Sequence, residues 1–428
     1  DNNEIIPQYL DMNMAGSMDE FIAAHRNNQG VPWVNTIAAS ADGRIWYADT
    51  SATPNLSPEA IANWQAKVDA GGLERIAYDN KVVLLDGSDP ANEWVDEPGA
   101  RDPGLVPFNK MPQLERTDYV FNANDPYWIA NPAEPLTGYS PLHGQAEQRL
   151  SPRTRMNATQ LGLDNGDSGS DNLYTLDEVA SSALGNRVFT AELLVDPILA
   201  RCEQAGDSAP PSAIAGCLVL AKWDRHVNLD SRGAIVWREF ISRIGNDVWA
   251  TPFDPTDPIG TPSGLAPAVG GDDQILAALA TTVDIIESAG FALDAPLGEL
   301  QFADRGGKRI PLHGGTGSEG VTNVVVSGGN GTTSEPAIDR GTRVAEGTTL
   351  TTDGYPISYG TSFLYALEFT PDGPVAKAFL TYGETGDPTS PYFSDQTQRF
   401  SDKNWRTIEF TESAISADEM LNTYEVIG

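Results

Sequence analysis

Asn122-Ala123-Asn124-Asp125-Pro126-Tyr127-Trp128-Ile129-Ala130-Asn131-Pro132 is the stretch around which the rest of the chain is read. Its first five residues are turn formers, because Asn and Asp side chains bond their own backbone and proline fixes φ. They follow a β-prone run, Tyr119-Val120-Phe121, so the reading is a strand that ends in an Asn-rich turn. A side-chain amide held on a rigid turn can donate to an oxyanion, usually alongside a backbone N–H. Asn122 and Asn124 are candidates for that chemistry, though spacing alone favours plain turn stabilisation through their own side chains.

Upstream, Ser17 followed by Glu20 reads as a capping box, and Met18, Phe21, Ile22 and His25 recur at helical spacing as far as Gly30. A hairpin follows: VNTIAAS, a turn at Ala41-Asp42-Gly43-Arg44, then IWYADTS. Residues 86–116 are turn-rich and read as loop. Downstream, TLDEVASSAL, NRVFTAELLVDPILARCEQ and PSAIAGCLVLAKWDR carry apolar stripes of helical period, and another amphipathic helix spans Asp272 to Ala289. From about residue 301 short strands (VTNVVV, SFLYALEF, AKAFLTYG) alternate with glycine-rich turns. Helices followed by strands predict an α+β chain, or layers in αββα order, rather than βαβ units.

Of 428 residues, 27 are Lys or Arg and 60 are Asp or Glu, a formal charge of −33. A nucleic-acid site needs a basic face to displace counterions, so no nucleic-acid partner is expected. An anionic membrane surface is disfavoured by the same repulsion. No apolar run approaches the roughly 20 residues of a membrane helix, and no signal peptide is visible. On this reading the chain begins after processing or as a fragment. Cys202 and Cys217 are the two cysteines. They read either as a disulfide, which implies an oxidising compartment, or as two buried thiols.

The common catalytic signatures HExxH, GxSxG, CxxC and GxxxxGK[ST] are absent from the sequence. The run His313-Gly314-Gly315-Thr316-Gly317-Ser318-Glu319-Gly320 lacks the lysine of a phosphate cradle. The four histidines (His25, His143, His226, His313) are scattered without metal-ligand spacing. The stretch Asp164 to Asp171 has neither the acceptor spacing nor the closing glutamate of an EF-hand, and reads as an exposed loop. No metal and no cofactor is expected; a structural calcium stays open, with no ligands to name. One hydrolase plan needs no histidine base: an N-terminal Ser, Thr or Cys uses its own α-amino group, which titrates near neutrality.

Several motifs occur in one order along the chain. They are Gly30-Val31-Pro32-Trp33-Val34-Asn35-Thr36, the 122–132 stretch, Pro152-Arg153-Thr154-Arg155, Trp223-Asp224-Arg225, His313-Gly314-Gly315 and Gly386-Asp387-Pro388-Thr389-Ser390-Pro391. Together they resemble the β chain of the penicillin acylase family, in particular the acyl-homoserine lactone acylases and aculeacin-type lipopeptide deacylases. The resemblance implies an N-terminal-nucleophile (Ntn) hydrolase with a four-layer αββα core, present in part here, and a helical middle segment. It implies one domain over 1–428, with core hairpin and oxyanion asparagine in 1–150, a mostly helical segment in 151–300 and core strands in 301–428. Asn124, second in the Asn-x-Asn pair, would be the side-chain oxyanion donor. Arg153 would orient the nucleophile and the asparagine. Trp33 and Val34 would wall the acyl pocket, and Tyr9 would add an aromatic.

The sequence departs from the family pattern at its start. A complete β chain of the family begins Ser-Asn, well ahead of the region matching Asp1, and follows autocatalytic cleavage from an inactive precursor. The resemblance thus implies partners: an α chain, and a β segment that carries the nucleophilic serine. Whether that segment is a second cleavage product or a separate chain stays open. The function implied is hydrolysis of a small N-acyl amide, such as an N-acyl-homoserine lactone (quorum quenching), a lipopeptide or a penicillin, in the periplasm or outside the cell. The alternative is a noncatalytic secreted ligand-binding module that grips its ligand through exposed tryptophans.

Overall fold

The computed structural model describes residues 3–32, 34–162, 166–269, 272–328 and 341–418. The chain divides into two compact units, Asp1–Leu150 and Ser151–Gly428. The first contains α1 (Ile5–Met14), α2 (Met18–Asn28), β1 (Thr36–Ala39), β2 (Ile45–Ala48), α3 (Pro58–Asp69), α4 (Leu73–Asp79) and β3 (Gln113–Arg116). The three strands form one antiparallel sheet in the order β1-β2-β3, with Thr36 opposite Ala48 and Ile45 opposite Arg116. Met18, Trp46, Ala48 and Phe108 make an apolar cluster between α2 and the sheet.

The α2 cap differs from the expected capping box. Ser17 Oγ accepts from the Glu20 N–H (3.2 Å), but the Glu20 carboxylate accepts from Gly16 N (2.7 Å) rather than from Ser17. The helix that sequence reading passed over, α3, has a legible start. Ser57 caps it through Ala60 N, Pro58 sits in the first turn, and Ala60, Trp64 and Val68 bury one stripe. Two expectations are corrected. Residues 86–116 are not all loop, since Gln113–Arg116 pair with β2. Tyr119–Phe121 is not a strand; the strand ends at Arg116, and this run is held by Phe121 N to Ala130 O (2.9 Å) and by Asn131 Nδ2 to Tyr119 O (2.8 Å).

Gln8 holds the segment that enters the hairpin. Its buried Oε1 accepts from Gly30 N and Val31 N, and its Nε2 meets His25 Nδ1 at 2.9 Å. A Cβ on Gly30 would sit 2.2 Å from the Glu4 carbonyl carbon, so glycine is required by close approach.

The second unit opens with helices: α5 (Pro152–Leu161), α6 (Leu176–Leu184), α7 (Phe189–Ala205), α8 (Pro211–Leu220) and α9 (Ala234–Ile244). A short pair follows, β4 (Trp249–Thr251) with β5 (Ser263–Leu265), then α10 (Gln274–Ser288) and α11 (Leu297–Leu300). The strands β6 (Gln301–Arg305), β7 (Lys308–Pro311), β8 (Val325–Ser327) and β9 (Tyr355–Gly360) form a mixed sheet in the order β7-β6-β9-β8. The last elements are β10 (Phe363–Thr370), β11 (Gly373–Leu380), α12 (Asp395–Ser401), β12 (Arg406–Ile408) and α13 (Glu412–Ala417). Helices with separate, largely antiparallel sheets make the fold α+β.

Its main core gathers α7 to α10 around Trp237 and Phe240, both fully buried. Cys202 on α7 and Cys217 on α8 are joined by a disulfide. The sheet β10-β11-β12 packs one face on α6 through Ala366, Leu176 and Ala180. Its other face presents Phe363, Tyr365 and Phe369 to the exterior, the first two rings stacked at 6.1 Å.

Burial lowers the pKa of His25, His143 and His313 from 6.5 to about 4. Below their unfolded pKa the unfolded chain takes up protons that the folded chain refuses, so these groups stabilise the fold at neutral pH and less as pH falls from 6.5 towards 4. Asp49, raised from 3.8 to about 6 by burial, acts oppositely between those values. Three groups against one leave a net release of roughly two protons on folding near pH 5. Urea unfolding at about pH 5 and pH 7 should show higher stability at pH 7; equal or lower stability there would contradict the buried, neutral histidines.

Candidate active site

Asn122 spends its side chain on the turn. Its Oδ1 accepts from Asn124 N (2.8 Å) and from Asn35 Nδ2 (3.4 Å), while its Nδ2 donates to Asp125 O (3.0 Å). Asn35 is fixed in turn by the Tyr47 hydroxyl, so the turn is tied to the β1–β2 hairpin. Asn124 has φ +67°, a left-handed conformation that asparagine tolerates better than most residues. Its side chain is exposed and lines a cavity of about 800 Å³ within the first unit. Other lining residues are Val34, Asn35, Asp49, Lys81 and His143.

This cavity has both apolar and polar lining residues. Pro32 and Val34 contribute at one part, and Trp33 between them lies outside the described residues. Tyr9, expected as a further pocket aromatic, stands exposed on α1 and is not among the lining residues. His143 is buried, with neither ring nitrogen hydrogen-bonded among the described residues and its ring edge-on to Tyr127. Its pKa of about 4 keeps it neutral near pH 7. Asp49 and Lys81 drew no attention in the sequence; their one signal is that the fold brings opposite charges to one wall.

In the second unit the two arginines of Pro152-Arg153-Thr154-Arg155 separate cleanly. Arg155 is buried, donating to Ile259 O (2.7 Å) and Pro262 O (2.9 Å), with its guanidinium over the Phe189 ring at 4.7 Å. Arg153 occupies the first turn of α5, half-buried beside Gly317, where a Cβ would meet its Nε at 4.0 Å. His313 is structural: its Nδ1 accepts from Asn186 and Asn323 side-chain amides, so Nε2–H donates to Phe400 O (2.7 Å). Asp164 and Asn165 of the acidic loop lie outside the described residues, and Asp167 is taken by Arg187, Ser182 and Gln160. Among the described residues no group of His, Cys, Asp and Glu is arranged to hold a metal.

The family model described as Penicillin amidase matches residues 1–417. The chain belongs to the penicillin amidase family. It is 32% identical over 424 residues to "Acyl-homoserine lactone acylase PvdQ" of Pseudomonas fluorescens (strain Pf0-1), covering 98% of this chain and 50% of that protein. It is 33% identical over 435 residues to "Aculeacin-A acylase" of Actinoplanes utahensis, covering 99% and 51%. Among solved structures, a thermostable penicillin G acylase from Alcaligenes faecalis aligns with a TM-score of 0.52 and 12% identity, over 99% of this chain and 73% of that one, a likeness of fold. The chain spans about half the length of the curated relatives it matches. Among the described residues no helix is long and apolar enough to cross a membrane.

The division of labour within the Asn-x-Asn pair of this penicillin amidase family chain can be measured as stability. Asn122→Ala removes the turn's bonds and should cost about 1–3 kcal/mol. Asn124→Gly should be neutral or slightly stabilising, because glycine adopts positive φ freely. Urea denaturation read by tryptophan fluorescence gives both values. A costly Asn124→Gly beside a harmless Asn122→Ala would invert the assignment.

Proposed function

We propose that this chain is the C-terminal portion of the catalytic β subunit of an acylase that hydrolyses an N-acyl amide. The reading includes a partial four-layer Ntn-hydrolase core, completed by an α chain and by a β segment with an N-terminal serine after autoproteolysis of a zymogen. The observation that carries it is the cavity that Asn124, on a turn braced by the Asn122 side chain, lines together with Val34. The family membership supplies the reaction class.

In this reading the serine hydroxyl attacks the amide carbonyl and its proton passes to the serine's own α-amine. Asn124 Nδ2 donates to the oxygen that becomes negative in the tetrahedral intermediate, an interaction that strengthens as charge develops. Collapse transfers the proton to the leaving nitrogen, the amine departs, and water releases the carboxylic acid. Arg153 is assigned the orientation of the nucleophile. Pro32, Trp33 and Val34 are assigned the acyl tail, and Tyr9 a place farther along it. An acyl-homoserine lactone, a lipopeptide or a penicillin is the substrate class suggested by the relatives' names. The Cys202–Cys217 disulfide favours a periplasmic or secreted location, where such bonds persist.

In the complete assembly Asn124→Ala should lower acyl-enzyme formation by about 10²–10³, the usual cost of one oxyanion donor, with little change in substrate binding. Trp33→Ala should instead weaken long-chain substrates more than short ones. Single-turnover kinetics with acyl chains of two lengths separates these effects. Full turnover by Asn124→Ala would remove this residue from the mechanism.

A further inference from the structure

Tyr47 is fully buried on β2, the middle strand of its sheet, opposite Ile37 of β1 and Leu114 of β3. Its hydroxyl donates to Asn35 Oδ1 and makes no other hydrogen bond among the described residues. Burial, with the Asp49 carboxylate adding to it, raises its pKa above the usual tyrosine value, so the hydroxyl keeps its proton and stays a donor. With Oδ1 held by Tyr47, the Asn35 amide presents Nδ2 on its other side. That nitrogen donates to Asn122 Oδ1 at 3.4 Å.

Two donors therefore share Asn122 Oδ1: Asn35 Nδ2 from the hairpin and Asn124 N (2.8 Å) from within the turn. With the bond from Asn122 Nδ2 to Asp125 O (3.0 Å), they fix the Asn122 side chain, and through Asn124 N the left-handed backbone that carries the Asn124 amide. A second tie holds the start of the same segment. Ser51, just beyond β2, donates to Pro32 O, which also accepts from Val34 N (3.0 Å). Residues 32–35 are thus pinned at both ends to one strand. The Asn35–Asn122 bond is exposed and long, so it gives the turn direction more than strength.

We infer that Tyr47 and Asn35 are positioning residues of the acylase, a hydrogen-bonded chain that aims the Asn124 amide at the oxyanion. The inference rests on the acylase reading above and adds two residues that act through Asn124. An oxyanion donor is effective when it is aligned before charge develops; a donor that swings must be ordered as the barrier is climbed. Without the Tyr47 hydroxyl the Asn35 amide rotates about its terminal torsion, Asn122 Oδ1 loses an oriented donor, and the backbone at Asn124 loosens. A packing role alone would change the amount of folded enzyme. It would not act on the acylation rate through one particular amide.

A double-mutant cycle in the complete assembly tests this, with the best cleaved of N-decanoyl-homoserine lactone, aculeacin A and penicillin G as the probe. Tyr47→Phe and Asn35→Ala should each lower the maximal single-turnover acylation rate about three- to tenfold, the scale of one net hydrogen bond. The half-saturating substrate concentration should stay within about twofold. In an Asn124→Ala background the same substitutions should change the rate by less than about twofold, because the group they aim is gone. Asn35 is exposed, so Asn35→Ala gives a folded assembly to measure even if Tyr47→Phe does not. Equal losses in both backgrounds, or no loss beside an intact Asn124, would overturn the inference and leave the acylase reading standing. If the wild-type assembly cleaves none of the three probes, or Asn124→Ala keeps full turnover, the acylase reading or its oxyanion assignment falls and takes this inference with it.

Discussion

A single buried ion pair organises the second unit. The Arg238 guanidinium on α9 meets the Glu319 carboxylate at 3.1 Å, with side chains 6% and 0% exposed. Arg238 also donates to Gln301 on β6 and to Gly314 O, and the same Glu319 carboxylate accepts from Thr316 N at 2.6 Å. The Glu319 carbonyl in turn accepts from Thr190 on α7, whose hydroxyl oxygen receives the Trp237 N–H. Two core helices, a sheet strand and the 313–320 loop thus share one charge pair. Losing one member would strand the other charge in the interior, at about 3–5 kcal/mol, although an apolar pair of equal volume could match its net stability. Its contribution is to specify one arrangement of the loop.

That loop explains why its glycine-rich sequence has nothing to do with phosphate. A Cβ on Gly315 would stand 2.6 Å from the Val321 side chain, so the glycines serve close packing. His313, at the head of the run, is fully buried and fixed at both ring nitrogens. The absence of the lysine had excluded a phosphate site from sequence; the packing reason needed three-dimensional neighbours.

Elements with strong local signals were readable. The helices of residues 175–247, the Asp42-Gly43 hairpin and the long strands of the last third announce themselves by period and turn chemistry. Polar, short pieces did not. β3 buries only Leu114 of its four residues and exists because β2 offers it an edge. At the candidate site, sequence order singled out Asn124 over Asn122 and Arg153 over Arg155 through family position alone. The structure shows the Asn122 side chain bonded within its own turn and Arg155 buried against Ile259 O and Pro262 O. Asp49 and Lys81 were invisible because nothing local marks a cavity wall built from residues 32 apart.

Two of the polar side chains on that wall, Asn124 and Lys81, sit on left-handed backbone where glycine would fit with less strain. Each position thus holds backbone strain of the kind that concentrates at working sites. Directed evolution that rewards heat resistance alone would favour glycine at residue 81, gaining roughly 1 kcal/mol while erasing the ammonium. A stabilised variant selected that way would melt later and leave that part of the wall without its positive charge.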